Sequence, residues 1–265
     1  MTREILAIND DSIDAVGLMH MANLFRRYGD VTVLAPKEPQ SAKAASLTMD
    51  RPLHLKHIEN LEANGDLGMV RVYSLDGTPC DCAKMGVNMF IEEGRMPDLL
   101  VSGINHGSNA SAAAVYSGTL GAAKEAALYG IPAIGFSIDT HDEYPDFSII
   151  DSYLDEIMER FFECPPKPGV YLNINFPDIS PEQVRGITFA RQGRGRWHKE
   201  FVCETDPRGR EIYWMVGEFL NLAGGDNITD DHILMHDGYI TIVPHTVDTT
   251  DYAEMERLSQ CWDFE

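Results

Sequence analysis

The chain has 265 residues, enough for one large domain with an appended arm. Hydrophobic residues make up 44% and charged residues 24%, globular proportions that exclude wholesale disorder. The net charge of −21 repels nucleic-acid backbones and anionic membranes, which excludes both as partners; a small anionic substrate would need a local positive charge, such as a divalent metal.

In chain order, Ile5–Ile8 is a short apolar run that reads as a strand, and Ala15–Tyr28 has helical spacing and stops at Gly29. Val31–Pro36 is a second buried strand closed by proline, and Asp98–Gly103 a third closed by glycine. Thr119–Tyr129 reads as a helix, Ile131–Ile138 as a strand, Phe147–Phe162 as an amphipathic helix and Val170–Pro177 as a strand. Strands alternating with helices predict an α/β fold whose parallel sheet is covered on both faces. From about Val184 the pattern changes. His198–Glu218 alternates around "DPRG" and predicts a projecting hairpin, Gly238–Pro244 a late strand and Thr250–Cys261 a terminal helix. The expected division is a core over residues 1–183 and an oligomerisation region over 184–265 packed on it.

Five scattered cysteines, Cys80, Cys82, Cys164, Cys203 and Cys261, make no disulfide framework. The N-terminus lacks the apolar core of a signal peptide and no run approaches a membrane span, so the expected compartment is the cytoplasm.

Ligands in open α/β sheets gather outside the carboxyl ends of the strands. The first strand ends in Asn9-Asp10-Asp11. Adjacent carboxylates repel unless they are solvated or share a cation, and hard divalent ions take such oxygen ligands; Asp11 or Asp14 could equally cap the following helix. The second loop, Lys37–Leu53, is rich in small and hydroxyl residues, as a plain turn region would be. The third, Ser102–Thr119, holds three glycines, four serines and two asparagines in 18 residues and leads into a helix at Ser117-Gly118-Thr119. Free amides and small hydroxyls at a helix start suit a phosphate, or an ordinary serine cap. The fourth, Ser137–Phe147, is acidic and reads as a rim. Together these loops point to metal-assisted phosphoryl chemistry. His106 has no second histidine to form a triad, and Arg191, Arg194 and Arg196 are expected to pair with acids at the hairpin base or a subunit interface.

The motifs "ILAINDD", "VTVLAPKEPQSA", "SLT", "DGTPCDC", "PDLLVSGINHGSN", "YSGTLGAAKEA", "LNINFP", "FARQGRGRW" and "YWMVGE" resemble, in order and over nearly the whole chain, those of the SurE family (survival protein E), metal-dependent 5′-nucleotidases. The resemblance implies a Rossmann-like three-layer core with a protruding β-hairpin and C-terminal arm, and homodimers or homotetramers built by exchanging those elements. It implies one divalent ion per subunit, Mg²⁺ or Mn²⁺, held by Asp10, Asp11, Ser41 and Asn105. Asn109, Ser117, Gly118 and Thr119 match the phosphate-holding stretch. The implied reaction is hydrolysis of nucleoside 5′-monophosphates, with Asp10 and Asp11 as the catalytic acids and 3′-monophosphates or short polyphosphate as further substrates. A non-catalytic nucleotide sensor on the same fold and an aspartyl-phosphate phosphatase are the rival readings; the latter usually has D-x-D rather than adjacent acids. A dinucleotide oxidoreductase is disfavoured, because no G-x-G-x-x-G follows the first strand. Three departures from the family pattern stand out: Ser12 where glycine is usual, "SAKAAS" in a loop usually richer in glycine, and Ser111 at another common glycine position.

Overall fold

Ile5, Leu6, Ala7 and Ile8 are fully buried, with Ile5 and Ala7 in one hydrophobic cluster and Leu6 and Ile8 in another. A strand buried on both faces needs helices on each side of its sheet. The computed structural model, which describes residues 2–142, 144–222, 229–262 and 264, shows that arrangement.

The chain runs β1 (Arg3–Ile8), α1 (Val16–Phe25), β2 (Gly29–Pro36), β3 (Leu55–Leu61), β4 (Val70–Leu75), α2 (Pro79–Glu92) and β5 (Leu99–His106). It continues through α3 (Ala113–Tyr116), α4 (Gly118–Leu128), β6 (Ala133–Ile138), α5 (Ser148–Glu163) and β7 (Val170–Phe176). Then come β8 (Gly186–Phe189), β9 (Gly195–His198), β10 (Phe201–Thr205), β11 (Glu211–Met215), β12 (Glu218–Asn221), α6 (Asp231–His236), β13 (Tyr239–Thr246) and α7 (Tyr252–Cys261).

Nine strands form one sheet in the order β3-β4-β2-β1-β5-β6-β7-β13-β8. All neighbours are parallel except β3 with β4 and β13 with β7. Leu18, Met21 and Phe25 of α1 pack with Leu154, Met158 and Phe161 of α5 on one face, and α2 and α4 cover the other. Residues beyond 183 add β8 and β13 to this same sheet. The chain leaves β1 towards β2 on one side, and β5 flanks β1 on the other, so the sheet reverses its winding between β1 and β5. That reversal opens a crevice at the strand ends.

The predicted hairpin is a ribbon in two segments. β10 and β11 pair from Phe201 with Met215 to Thr205 with Glu211, around a turn closed by the Asp206 amide on the Arg210 carbonyl (2.9 Å). Nearer the sheet, β9 and β12 pair Trp197 with Phe219. Lys199 at φ 51° and Gly217 at φ 138° lie between the segments and bend the ribbon. Of the three arginines expected to pair with acids, Arg191 ties down the ribbon base through an ion pair with the fully buried Asp230, while Arg194 and Arg196 form no ion pair among the described residues. The terminal helix α7 starts at Asp251, whose carboxylate accepts the Glu254 amide at 3.0 Å, and it buries none of its residues.

Helix α1 lies close to the sheet because it carries Gly17. A Cβ there would sit 2.5 Å from the Ile104 carbonyl oxygen of β5. Gly17→Ala is therefore expected to destabilise the fold by about 1–3 kcal/mol through overpacking, read as a drop of several degrees in the melting temperature by circular dichroism.

Candidate active site

The crevice is built from the ends of β1, β2 and β5 and the start of α4. Asn9 follows β1 fully buried, and its Nδ2 donates to the Ser12 carbonyl at 2.8 Å, which curls the chain so that Asp10 and Asp11 come off the strand together. Asp10 is only 3% exposed. Its Oδ1 accepts the Thr119 hydroxyl at 2.5 Å, and Gly118 is the neighbour that permits this approach, since a Cβ there would lie 2.9 Å from Asp10 Cβ and Oδ2. Asp10 thus sits against the N-terminal end of α4, where the helix dipole favours an anion. Asp11 Oδ2 accepts the His106 amide at 3.1 Å.

These contacts do not compensate the charge. Burial and then the Asp11 charge push the Asp10 carboxyl up from 3.8 to about 6, against the opposing pull of Thr119. Burial also raises Asp11, with the His106 amide working against it. Among the described residues, no basic side chain forms an ion pair with either acid.

Asn105 completes the arrangement from β5. Its Nδ2 donates to the Gly107 carbonyl at 2.6 Å, and its Oδ1 lies 3.3 Å from the Thr119 hydroxyl. One hydroxyl has one hydrogen, and the shorter contact to Asp10 takes it. Carboxylate and amide oxygens are therefore brought together with fewer hydrogens than acceptors. Ser41 stands exposed on the loop after β2, anchored where the Gln40 amide donates to the Asp10 carbonyl at 2.7 Å. The rest of that loop is held by Ala44 N–H on the Tyr116 carbonyl (2.9 Å) and by Thr78 and Asp81 at the start of α2, which bind Ser46 and Thr48.

Asp10, Asp11, Ser41, Asn105, Asn109 and Ser117 all line one cavity of about 750 Å³. Ser117 caps α4, its Oγ accepting the Leu120 amide at 3.0 Å. Gly118 and Thr119 lie behind this lining; Thr119 is fully buried and turned to Asp10. Asn109 is fixed on three sides: its amide donates to Asn175 Oδ1 (2.8 Å), its Nδ2 to Ser137 Oγ (2.8 Å), and its carbonyl accepts Asn173 Nδ2 (2.9 Å). Asn173 and Asn175 are fully buried on β7. Their signal in the sequence was "NIN" inside a central strand, where buried polar side chains are rare unless they hold something. Sequence reasoning also missed Asp231, fully buried, which accepts the Ser111 and Gly193 amides (3.0 and 2.9 Å) and joins the site loop to the ribbon base.

The departures from glycine fall where the backbone is left-handed. Ser12 has φ 96°, Ala42 φ 59°, Ala44 φ 49° and Ser111 φ 54°. Such angles strain a residue that carries a Cβ.

Residues 5–199 match the family model described as survival protein SurE. The chain belongs to the SurE family. The 5′-nucleotidase SurE of Flavobacterium psychrophilum is 39% identical to it over 259 residues, covering 98% of this chain and 97% of its own. That of Cytophaga hutchinsonii is 38% identical over 260 residues, with the same coverage of 98% and 97%. The crystal structure of the SurE protein from Aquifex aeolicus superposes with a TM-score of 0.77 at 30% identity, over 98% of this chain and 100% of that one.

The oxygens around Asp10 make a donor set for a hard divalent ion, which binds carboxylate, hydroxyl and amide oxygens and keeps several waters. Among the described residues no group of three or more histidine, cysteine or acidic side chains that could hold a metal ion occurs, so this donor set rests on two acids with amide and hydroxyl oxygens beside them. Without an ion, the raised Asp10 carboxyl makes the folded state take up a proton that the unfolded chain holds only below about pH 4. Asp10 therefore costs stability above about pH 6 and ceases to do so below about pH 4. In chelator, Asp10→Asn should raise the melting temperature by several degrees at pH 7, and that gain should shrink as the pH falls to 4; thermal melts across this range check it.

Proposed function

We propose that this SurE-family chain is a 5′-nucleotidase, a phosphoric monoester hydrolase that uses one divalent ion per subunit, Mg²⁺ or Mn²⁺, to release nucleoside and phosphate from nucleoside 5′-monophosphates. Full-length relatives named 5′-nucleotidase SurE support the reaction class. The observation that carries the metal dependence is the buried, uncompensated Asp10 carboxylate beside Asp11, facing a cavity lined by further oxygen donors.

Asp10, Asp11, Ser41 and Asn105 are the residues that would hold the ion. Bound there, it would cancel the repulsion of the acid pair, draw electron density from phosphorus and acidify a coordinated water. The chain's own residues do the positioning. Thr119 fixes the Asp10 carboxylate by its hydroxyl, so that Asp10 orients the attacking water. Asn109 and Ser117, which line the cavity, meet the non-bridging phosphate oxygens, and Gly118, behind them, contributes through the dipole of the helix start rather than by direct contact. Thr119 serves the same anion indirectly, through Asp10. Charge that builds on those oxygens as the P–O bond breaks is met by groups already in place.

The same cavity would admit 3′-monophosphates and short polyphosphate, which present the same terminal phosphate. The chain would act as a homodimer or homotetramer through its exposed ribbon, where Phe201, Tyr213 and Trp214 are 62%, 62% and 59% exposed. No described helix is long and apolar enough to cross a membrane, and the acidic surface disfavours nucleic acid; we place the protein in the cytoplasm.

Phosphate release from a panel of nucleoside monophosphates, with chelator and with added Mn²⁺, tests the reading. Turnover should appear with the metal and vanish with the chelator, and Asp10→Asn should lose at least about a hundredfold in kcat while circular dichroism stays native. Nucleotide binding without phosphate release would show a sensor instead, and metal-independent turnover in Asp10→Asn would reject the scheme.

A further inference from the structure

The large cavity is sorted by polarity. One end carries the acids, amides and hydroxyls described above. The cavity's ribbon side is walled by Trp197, Met215 and Val216, with Tyr116 of α3 also in the lining, and Glu200 is the charged side chain that the ribbon contributes among the described residues. Trp197, Tyr116, Val216 and Met215 are 39%, 55%, 52% and 73% exposed, so this wall is apolar surface left uncovered beside the polar end. A volume of about 750 Å³ is what a small-molecule site needs.

Trp197 is held rigidly. Its ring meets the edge of Phe219, its cross-strand partner, with centroids 5.7 Å apart and planes at 71°. Phe219 in turn packs on His232 of α6 at 5.5 Å. A ring fixed from behind in this way offers a flat face at little entropic cost. Glu200 is poised differently. Its neighbours His198 and Lys199 both pair with Glu218, and the Glu200 side chain has no hydrogen bond or ion pair among the described residues. A free carboxylate at that end repels a phosphate and welcomes hydroxyl donors.

We propose that the ribbon end of the cavity is the nucleoside subsite: the base stacks on Trp197 and the ribose 2′- and 3′-hydroxyls donate to Glu200. The proposal rests on the phosphatase reading above and extends it to the leaving group. A flat aromatic base, a vicinal diol and a terminal anion match, in order, the indole, the carboxylate and the oxygen-donor end. Carboxylates that accept ribose hydroxyls are a recurrent device of nucleotide sites, and stacking on an aromatic ring holds any base without reading its edge. The site would therefore discriminate strongly between ribonucleotides and deoxyribonucleotides and weakly among bases.

The test uses the full-length, metal-loaded protein and three measurements: KM for AMP, KM for dAMP, and the inhibition constant of inorganic phosphate, which has no nucleoside part. Trp197→Ala should raise KM for AMP about tenfold and leave phosphate inhibition unchanged, while Trp197→Phe keeps most of the affinity. Glu200→Gln should reduce the preference for AMP over dAMP at least threefold without altering phosphate inhibition. If Trp197→Ala does not fold, Glu200→Gln, on an exposed side chain, decides by itself. An unchanged AMP-to-dAMP ratio in Glu200→Gln together with an unchanged KM for AMP in Trp197→Ala overturns the proposal. So does a selective rise in KM for AMP in Tyr144→Ala alone, which would put the base in the neighbouring 380 Å³ cavity beyond Asp11 and His106. A wild-type protein active on AMP with those outcomes loses only this subsite; one that releases no phosphate from any nucleotide loses the functional reading with it.

Discussion

The structure around the site is organised by the repulsion between two adjacent carboxylates, one of them almost wholly removed from water. Asp10 is buried to 3% exposure, and its surroundings answer that with an approaching helix start, a threonine hydroxyl and a glycine that leaves room for both. α4 has no acidic residue of its own in its first turn, so Asp10 provides the anion that a helix N-terminus favours. These groups soften the burial without cancelling it, because the carboxyl still stands near 6. Neutral dipoles of this kind orient a charge without cancelling it; the ion proposed above would supply the missing compensation, and Asn105 and Ser41 line the same cavity.

A second pair of adjacent acids shows the contrast. Asp230 and Asp231 are both fully buried, yet each is matched within the chain. Asp230 has Arg191, and Asp231 accepts the amides of Ser111, Gly193 and His232. Buried acids that serve structure are satisfied by the fold itself. The structural pair also fixes the functional one's surroundings, for Ser111 follows Asn109 in the site loop and Gly193 opens the ribbon whose Trp197 and Glu200 wall the cavity. The C-terminal third of the chain is thus part of the site's geometry.

The sheet was largely legible from sequence, because β1, β2, β5, β6 and β7 are buried on both faces and read as short apolar runs between helix-spaced segments. β3 (Leu55–Leu61) was not: it is an exposed antiparallel edge strand of mixed composition, which lacks both the apolar run and a clean alternation. α2 (Pro79–Glu92) is legible only through Cys82, which reads as a small buried helix residue and is one; its bounds are not, although Thr78 and Asp81 form a capping box with Pro79 behind the cap. In the site, two adjacent aspartates at a strand end announce themselves through their mutual repulsion. The engagement of Thr119 with Asp10 does not, since it depends on how closely α4 approaches β1. The proposed nucleoside wall was invisible for a similar reason: Trp197 and Glu200 are ordinary ribbon residues until the ribbon folds back over the crevice.

The backbone strain carries the same logic one step further. Ser12, Ala42, Ala44 and Ser111 all hold left-handed angles that glycine would adopt freely, and all lie within three residues of a proposed ligand or phosphate-binding residue. Local preference therefore opposes the site loops, and tertiary contacts impose them. Asn9 holds the carbonyl of Ser12, the Gln40 and Ala44 amides tie the second loop to Asp10 and Tyr116, and Asp231 holds the amide of Ser111. Strain persists only where surrounding contacts over-determine the conformation. Retained without glycine at these points, the loops have fewer alternative conformations in the unfolded chain and fewer ways to relax in the folded one. The oxygen donors are then held in place by the backbone before any ligand arrives, which is the preorganisation that phosphoryl chemistry by positioning requires.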